Sequence, residues 1–288
     1  MANHTNPEII ESLLADFRNP SSDIRERAAV QVLDYEETAV EPLMAMAQDS
    51  DANARHMAVW ALGELGDERA VPLLIQALKD DDERVQNWAA RALGEIKAQP
   101  AVEPLLELLG SPVATTRRNA AAALGWIGDD RAVKPLMRIA DDADPLVRSA
   151  VASSLGRLTD EAAVVTLVDL LGDDDPWVRS RAAHALGEIG HEAATIPLLR
   201  TLTDEGEWVR YNATWALGAI GSEEAFEPLV NVLHSNDSVN VRRGAAEALG
   251  VMGDKRAVPE LERSYGIEET QNLRRVIEQA MEQLKKRD

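Results

Sequence analysis

Apolar and polar positions recur along the chain with a period of 31 residues. The tripeptide Ala-Leu-Gly, once Ser-Leu-Gly, marks each copy, and its leucines are separated by five intervals of 31 residues and one of 32. These leucines are Leu62, Leu93, Leu124, Leu155, Leu186, Leu217 and Leu249, and a weaker copy has Val32 in the leucine slot. Self-similarity at this length is typical of an array of similar structural units.

Each copy contains two helical patterns. The first, as in RAVKPLMRIA (131–140), has apolar residues at helical spacing and a proline early, where a missing backbone N–H costs little. The second, as in PWVRSRAAHALGEIG (176–190), follows an Asp-rich loop whose carboxylates can cap the helix. Because two helices of this length cannot bury their apolar faces alone, the pattern predicts stacked helical hairpins. A glycine suited to a left-handed helix end follows the second pattern at Gly66, Gly128, Gly190, Gly221 and Gly253.

The repeated pattern resembles the HEAT-repeat superfamily, specifically the short-repeat branch named after the phycobilisome lyases. The likeness is clearest in DRAVKPLM (130–137) and VRSRAAHALGEIG (178–190), whereas Gln86 replaces the repeat arginine and Thr166 the repeat proline. The resemblance implies an all-α fold, a right-handed α-α superhelix of about eight to nine hairpins of about 31 residues. We expect one solenoid over residues 1–288, with repeats over about 7–265 and a C-terminal capping helix over about 266–288.

Helical geometry divides each second helix into a regular face and an irregular face. With the repeat arginine as position 0 and about 100° per residue, positions −1, 3, 4, 6, 7, 10 and 11 share one arc. Their small and aliphatic residues suit burial against neighbouring helices. Positions −2, 1, 2, 5 and 9 share another arc, which we call the stripe. In solenoids of this family the second helices line the concave side, so the resemblance implies that the stripe faces a groove.

The stripe concentrates the aromatic residues of a chain that is only 4% aromatic. Exposed Trp, Tyr and Arg dominate binding hot spots, because they bury a large area and donate hydrogen bonds at low entropic cost. We therefore predict a partner-binding surface, although the tryptophans could instead pack edge-on between successive second helices. The predicted binding residues are Trp60, Trp88, Trp126, Trp177, Trp208, Tyr211, Trp215, Arg118, Arg181 and His184.

Charge separates the stripe from the rest of the chain. The sequence has 50 acidic and 30 basic residues, a formal charge of −20, yet the stripe holds acids and bases in equal number. An acidic surface disfavours a nucleic-acid partner, which needs an excess of lysine and arginine. The position-0 arginines are predicted to be structural, pairing with loop aspartates such as Asp142, Asp144, Asp173 and Asp175.

The sequence offers little support for catalysis. The absence of cysteine excludes disulfides, thiol nucleophiles and cysteine-bound metals. Deoxyhypusine hydroxylase, an enzyme of the same superfamily, binds iron through His-Glu pairs in its repeats, but here the one His-Glu, His191-Glu192, follows the repeat glycine. His184 could serve as a proton donor, yet we predict no catalytic residue, no metal and no cofactor.

These observations predict a non-enzymatic scaffold or adaptor. Its groove would bind a peptide, a helix or an acidic segment of another protein. The alternative, which follows from the family resemblance, is a phycobilin-lyase-like protein that handles a tetrapyrrole or a similar conjugated ligand. Because the chain opens without a signal-like segment and has no bilayer-length apolar run, we expect a cytoplasmic protein without a membrane partner. The sequence makes no prediction of the oligomeric state.

Overall fold

The computed structural model describes residues 7–286, which form α-helices joined by short turns. They fall into two compact units, divided between Leu136 and Met137, which we call the N-terminal and C-terminal units. The single solenoid over 1–288 stays a prediction, and its outer ends at 1–6 and 287–288 lie outside the described residues.

The N-terminal unit contains four helical hairpins, each made of a first and a second helix. Helix α9 (Val133–Arg138) includes the division point between the units. The eight helices that precede it are α1 (Pro7–Ala15), α2 (Ser22–Val32), α3 (Glu37–Met46), α4 (Ala52–Leu65), α5 (Val71–Ala77), α6 (Glu83–Glu95), α7 (Val102–Leu108) and α8 (Ala114–Ile127).

The C-terminal unit continues the alternation of short first helices and long second helices. Its helices are α10 (Pro145–Leu158), α11 (Val164–Leu170), α12 (Pro176–Ile189), α13 (Thr195–Thr201), α14 (Glu207–Ile220), α15 (Phe226–Leu233), α16 (Val239–Met252), α17 (Ala257–Ile267) and α18 (Gln271–Lys285).

Second helices pack directly against one another within each unit. In the N-terminal unit α4 contacts α2 and α6, and α6 contacts α8; in the C-terminal unit α10, α12, α14, α16 and α18 contact one another in that order. From α3 onward, each first helix inside a unit packs on the second helix of its own hairpin. The predicted all-α fold of stacked hairpins is therefore confirmed. Helix α18 occupies the place of a second helix beside α16 and buries Leu273, Ile277 and Leu284 there.

The ends of the second helices follow the predicted chemistry. Asp144 and Asp175 accept hydrogen bonds from the backbone N–H groups of Leu146 and Trp177, so each caps the helix that it precedes. At the other end, Gly190 has φ of 72° and closes α12 in the left-handed conformation. The four other glycines predicted for this position also have positive φ. The first helices from α5 to α15 are each preceded directly by a 3-10 turn, such as Asp130–Ala132 before α9.

Arginines at position 0 link each loop to the next. Arg179 donates through Nε and Nη2 to both carboxylate oxygens of Asp204, at 2.7 and 3.0 Å. Its Nη1 donates to the backbone carbonyl of Asp173 in its own loop, at 2.8 Å. The same forked arrangement joins Arg148 to Asp173 and Arg210 to Asp237. The structural role predicted for these arginines is confirmed.

Two of the predicted acidic partners were wrong. Asp144 and Asp175 cap their helices, and the carboxylate that pairs with Arg148 belongs to Asp173, two residues earlier than Asp175. Asp173 thus lies beside the arginine of the preceding helix, whereas Asp175 lies at the N-terminus of the helix that follows. Two positions of the loop, two residues apart, therefore have different roles: the first pairs with the arginine and the second caps the helix.

The repeat that lacks the arginine lacks its partner as well. Gln86 occupies position 0 of α6 and donates to the backbone carbonyl of Asp80 in its own loop. The position that would hold the paired aspartate, 25 residues later as in Arg179 and Asp204, is Ser111. Gln86 thus keeps the hydrogen bond to its own loop. Because position 111 is a serine, the next loop has no aspartate there that would need a guanidinium partner.

Candidate functional site

The stripe lies on the open side of the second-helix layer in both units. On α12, Val178, Ala182 and Leu186 of the regular face are completely buried, whereas Trp177 and Arg181 of the stripe are exposed. Ser180 also belongs to the stripe but is buried, because the side chain of Asn212 on α14 covers it and donates to its hydroxyl at 2.7 Å. The division between a buried and an open face is therefore correct, with local exceptions at position 1 or 2.

A row of exposed apolar side chains crosses the C-terminal unit at position −2. Leu146 on α10, Trp177 on α12 and Trp208 on α14 are 55%, 60% and 49% exposed. These residues occupy the same position on consecutive second helices, whose axes are separated by about 10 Å. The row therefore spans about 20 Å of apolar surface. Trp177 and Trp208 were predicted binding residues, whereas Leu146 was not.

The aromatic rings of α12 and α14 are held by one another. His184 and Trp215 stack with ring centroids 4.4 Å apart and planes inclined by 25°. Trp208 meets Tyr211 edge to face at 5.7 Å. The guanidinium of Arg243 lies over the Tyr211 ring at 5.6 Å, a cation–π contact. Trp215 and Tyr211 are half-buried by these contacts, so they shape the surface but expose less of it than Trp177 does.

Positive charge is available on this face. Arg181 and Arg157 are exposed, and their guanidinium groups make no hydrogen bond or ion pair within residues 7–286. Burial lowers the pKa of His184; Glu188, with an oxygen 4.0 Å from Nε2, opposes that shift, and the two arginines reinforce it. Burial raises the pKa of Glu247, which is partly compensated by Arg243. The imidazole is therefore neutral at pH 7, and the arginines are free to meet an anionic partner.

A cavity of about 370 Å³ adjoins Trp215, between α14, α16 and α18. Trp215 forms one wall, Val251 the apolar rim, and the side chains of Glu247, Gln279 and Gln283 provide hydrogen-bonding groups. Only Trp215 of this set was a predicted binding residue. The cavity forms where the last second helix packs on its neighbour, a relationship that no single repeat encodes.

The N-terminal unit carries a separate aromatic cluster. Trp60 on α4 and Trp88 on α6 meet edge to face, with centroids 6.5 Å apart and planes at 82°. His56, one turn before Trp60 on α4, lies 6.3 Å from Trp88 between ring centroids. The guanidinium of Arg91 lies 4.9 Å from the Trp88 centroid, and its Nε donates to Glu95 at 2.8 Å. All three aromatic side chains are half-buried.

Trp88 contributes to two cavities in this unit. The cavity toward α8 has a volume of about 220 Å³, and Arg118 donates from Nε to Asn119 at its edge, at 3.4 Å. This cavity is lined by Asn87, Trp88, Arg91, Arg118, Asn119, Ala122 and Trp126. The cavity toward α2 has a volume of about 280 Å³ and is lined by Glu26, Ala29, Val30, His56, Met57, Trp60 and Trp88.

Glycines of the second helices determine how deeply two of the tryptophans sit. A Cβ at Gly94 would lie 2.7 Å from Cε3 of Trp126, and a Cβ at Gly187 would lie 2.5 Å from Cζ3 of Trp215. Each indole therefore rests on the backbone of the preceding second helix. Four tryptophans pack between successive second helices, which is the alternative considered from the sequence: Trp60, Trp88, Trp126 and Trp215. Trp177 and Trp208 instead project from the surface.

Neither a metal centre nor a spanning helix is found in the described part of the chain. No three His, Asp or Glu side chains of residues 7–286 converge as metal ligands would. Helices within the same range are too short or too polar to cross a bilayer.

Comparison with protein families agrees with the repeat pattern. The model of HEAT repeats matches residues 7–90, 71–156, 134–210 and 197–282, which together cover nearly the whole chain. The chain belongs to the HEAT-repeat family. This HEAT-repeat protein therefore has the fold that the resemblance of its repeated motif implied. Among curated proteins, the comparison finds no match.

Three solved structures show the same fold at low sequence identity. YibA of Escherichia coli is 22% identical, with 96% of this chain and 97% of that chain covered and a TM-score of 0.61. An engineered protein is 23% identical, with coverages of 98% and 92% and a TM-score of 0.57. The CpcE–CpcF complex of phycocyanin lyase from Nostoc sp. PCC7120 is 24% identical, with coverages of 85% and 94% and a TM-score of 0.52. Identities in this range establish a shared fold alone.

Proposed function

We propose that this HEAT-repeat protein is a non-enzymatic scaffold that binds a segment of another protein across the second helices of its C-terminal unit. The observation that carries the proposal is the exposed row of Leu146, Trp177 and Trp208 beside the unpaired guanidinium of Arg181. Large apolar side chains that remain exposed in a row are unusual on a soluble protein surface and mark interaction sites. Trp and Arg are also the residues that most often dominate binding energy.

The geometry favours an amphipathic helix with acidic residues as the bound segment. Residues seven apart on an α-helix are separated by about 10 Å along its axis, which matches the separation of neighbouring second helices. A partner helix laid across α10, α12 and α14 would therefore place apolar side chains on Leu146, Trp177 and Trp208 in turn. Acidic side chains between them would reach the forked donors of Arg181.

Peptide binding to paired variants tests this proposal. Helical peptides with leucine at every seventh position and glutamate between would be titrated into the full chain by fluorescence anisotropy. We expect Trp177→Ala/Trp208→Ala to weaken binding at least ten-fold, in the range usual for loss of two hot-spot residues. We expect Arg181→Ala to weaken binding less, and mainly at low salt, because salt screens exposed charges.

The matched control is Val165→Ala/Ile196→Ala, which removes two exposed apolar side chains from the first helices α11 and α13. This variant should bind within about two-fold of wild type, because its substitutions lie in the other helix layer. Equal weakening by both pairs, or wild-type affinity of the tryptophan pair, would show that the row is not the binding site.

A second candidate function is a lyase-like protein that handles a linear tetrapyrrole. It is favoured by the cavity beside Trp215 and by the fold shared with the subunits of phycocyanin lyase. The indole would stack on the conjugated ligand, and the side-chain amides of Gln279 and Gln283 would donate to its propionates. Titration with bilin should then shift the visible absorbance, and the shift should be lost in Trp215→Leu. A titration without a spectral change removes this candidate and leaves the first one untouched.

A further inference from the structure

The cavity between α2, α4 and α6 of the N-terminal unit has aromatic walls that are set at steep angles to one another. Trp60 and Trp88 stand at 82°, and the ring of His56 is tilted by 49° to Trp88. The enclosed volume is about 280 Å³. Three rings facing a common space in this way form an aromatic cage.

The rest of the cavity lining is apolar, apart from one carboxylate. Ala29, Val30 and Met57 contribute methyl, methylene and thioether groups, and Glu26 is the acidic residue of the lining. Glu26 and Val30 are exposed on α2, so the cavity opens toward solvent on that side. The cavity thus has electron-rich ring faces, an apolar floor and a negative charge at the mouth.

This combination selects a particular kind of cation. Aromatic faces attract cations, and the attraction strengthens when the cation is desolvated. A lysine ammonium or an arginine guanidinium would bring several N–H donors into a space where few acceptors exist, and unpaired donors are costly to bury. A trimethylammonium group carries its charge without any N–H. We propose that this cavity binds a trimethylammonium group, presented by a choline-like small molecule or by a trimethylated lysine of a protein.

No lysine or arginine of residues 7–286 lines the cage, and three arginines of the same unit are engaged elsewhere. Arg91 lies over Trp88 and is held by Glu95, and it lines the cavity toward α8 rather than this one. Arg84 donates to both oxygens of its own cap, Asp82. Arg25 donates to the backbone carbonyls of residues 19 and 20. The cage is therefore free of a resident guanidinium.

His56 stays neutral at neutral pH. Burial lowers its pKa, and the charges of Arg84 and Arg25 lower it further, while Asp82 acts in the opposite direction. A neutral imidazole adds a ring face to the cage without repelling a bound cation. The inference concerns the N-terminal unit and does not depend on the proposed function of the C-terminal unit.

The first test compares choline with its neutral isostere, 3,3-dimethyl-1-butanol, by isothermal titration calorimetry on the full chain. The two ligands have the same shape, and only choline carries a charge. We expect choline to bind at least ten-fold more tightly, because the rings and Glu26 recognise the charge. Equal affinities of choline and the neutral isostere would overturn the proposal.

Variants then locate the site. Trp60→Leu should weaken choline binding about 3- to 30-fold, the range of a single cation–π contact, and Glu26→Gln should weaken it by a smaller factor. Trp177→Leu, which removes an exposed indole of the C-terminal unit, is the matched control and should leave the affinity within about two-fold. Glu26 is exposed, so its variant remains informative even if Trp60→Leu unfolds. Wild-type affinity in both cage variants would refute the assignment.

A pair of peptides distinguishes whether the trimethylammonium group belongs to a small molecule or to a modified protein. A peptide with trimethyllysine between flexible residues is compared with the same peptide carrying plain lysine. Binding of the methylated peptide at least ten-fold above the plain one assigns the cage to a modified protein. Choline binding without that preference assigns it to a small molecule. Failure of both choline and the methylated peptide would contradict the proposal.

Discussion

His184 and Trp215 lie face to face, with ring centroids 4.4 Å apart, although they belong to different repeats. Both occupy position 5, and 31 residues separate them. Gly187 leaves the space in which the indole rests. The stack therefore fixes Trp215 before any ligand arrives, and a preorganised side chain loses less entropy on binding.

The emission of Trp215 should report the protonation of His184. Because burial lowers the pKa of His184 below its ordinary value of 6.5, the imidazole is neutral at pH 7 and becomes charged only at lower pH. An imidazolium in contact with an indole quenches its fluorescence. As the pH falls from 8 to 5, wild type should lose emission that His184→Gln retains, with a midpoint below 6.5. A midpoint at or above 6.5, or identical curves, would contradict the stacked and buried state.

Gly187→Ala should disrupt the same stack. The added Cβ would lie 2.5 Å from Cζ3 of Trp215 and 2.8 Å from Cα of Ala216, and the second of these is backbone that cannot move alone. We expect about 1 to 3 kcal/mol of lost stability, as is usual for overpacking, together with loss of the His184-dependent quenching. Urea unfolding measures the first effect. Gly110→Ala is the control, since its Cβ would make only an ordinary contact at 3.6 Å.

Arg179→Gln should destabilise the C-terminal unit, whereas Arg181→Gln should not. The first change removes the forked bonds to Asp204 and leaves that carboxylate half-buried without its guanidinium. Hydrogen bonds to charged groups contribute about 1.5 to 3 kcal/mol, and we expect a loss of that size in thermal or urea unfolding. Arg181 is exposed and unpaired within the described residues, so its substitution should change stability by less than about 0.5 kcal/mol. Equal effects would remove the structural role of position 0.

Stability should be lost in acid between about pH 4 and pH 2. A hydrogen bond from Arg84 lowers the pKa of Asp82 to about 2, and Arg210 lowers that of Asp237. A carboxyl whose pKa is lower in the folded state stabilises the fold above its unfolded pKa of about 3.9 and ceases to do so as the pH falls through its folded value. Urea midpoints measured from pH 7 to pH 2 should follow this course, with less change in Asp82→Asn. Asp130→Asn, at an exposed aspartate, should keep the wild-type dependence.

The sequence correctly predicted the buried face and the ends of the second helices, because the helical period and the repeat together determine them. Leu186 is buried because its spacing places it on the regular face, and Gly190 ends its helix because glycine readily adopts the left-handed conformation there. Exposure within the stripe was less predictable, since Trp215 is half-buried and Trp177 is not. The difference depends on which side chains of the neighbouring helix lie against each tryptophan. The position of a residue within its own repeat does not reveal those neighbours.

Two further residues were within reach of the same reasoning. Leu146 shares position −2 with Trp177 and Trp208, and His56 shares position 1 with Tyr211. Neither residue belongs to the predicted binding set, because that prediction rests on residue type, tryptophan and arginine above all, rather than on position in the repeat. The cavities could not have been predicted in the same way, since their volume depends on the packing of three helices.

The forked pairs of the C-terminal unit reach no farther than the next loop, because Arg179 and Asp204 are separated by 25 residues and Arg148 and Asp173 by the same number. Repeats that hold only their neighbours separate one at a time under load. Stretched between its ends, the unit would lengthen in steps, and each step would release about 31 residues, or about 100 Å of extended chain. Under tension the C-terminal unit would thus extend gradually, one repeat at a time, rather than in a single event.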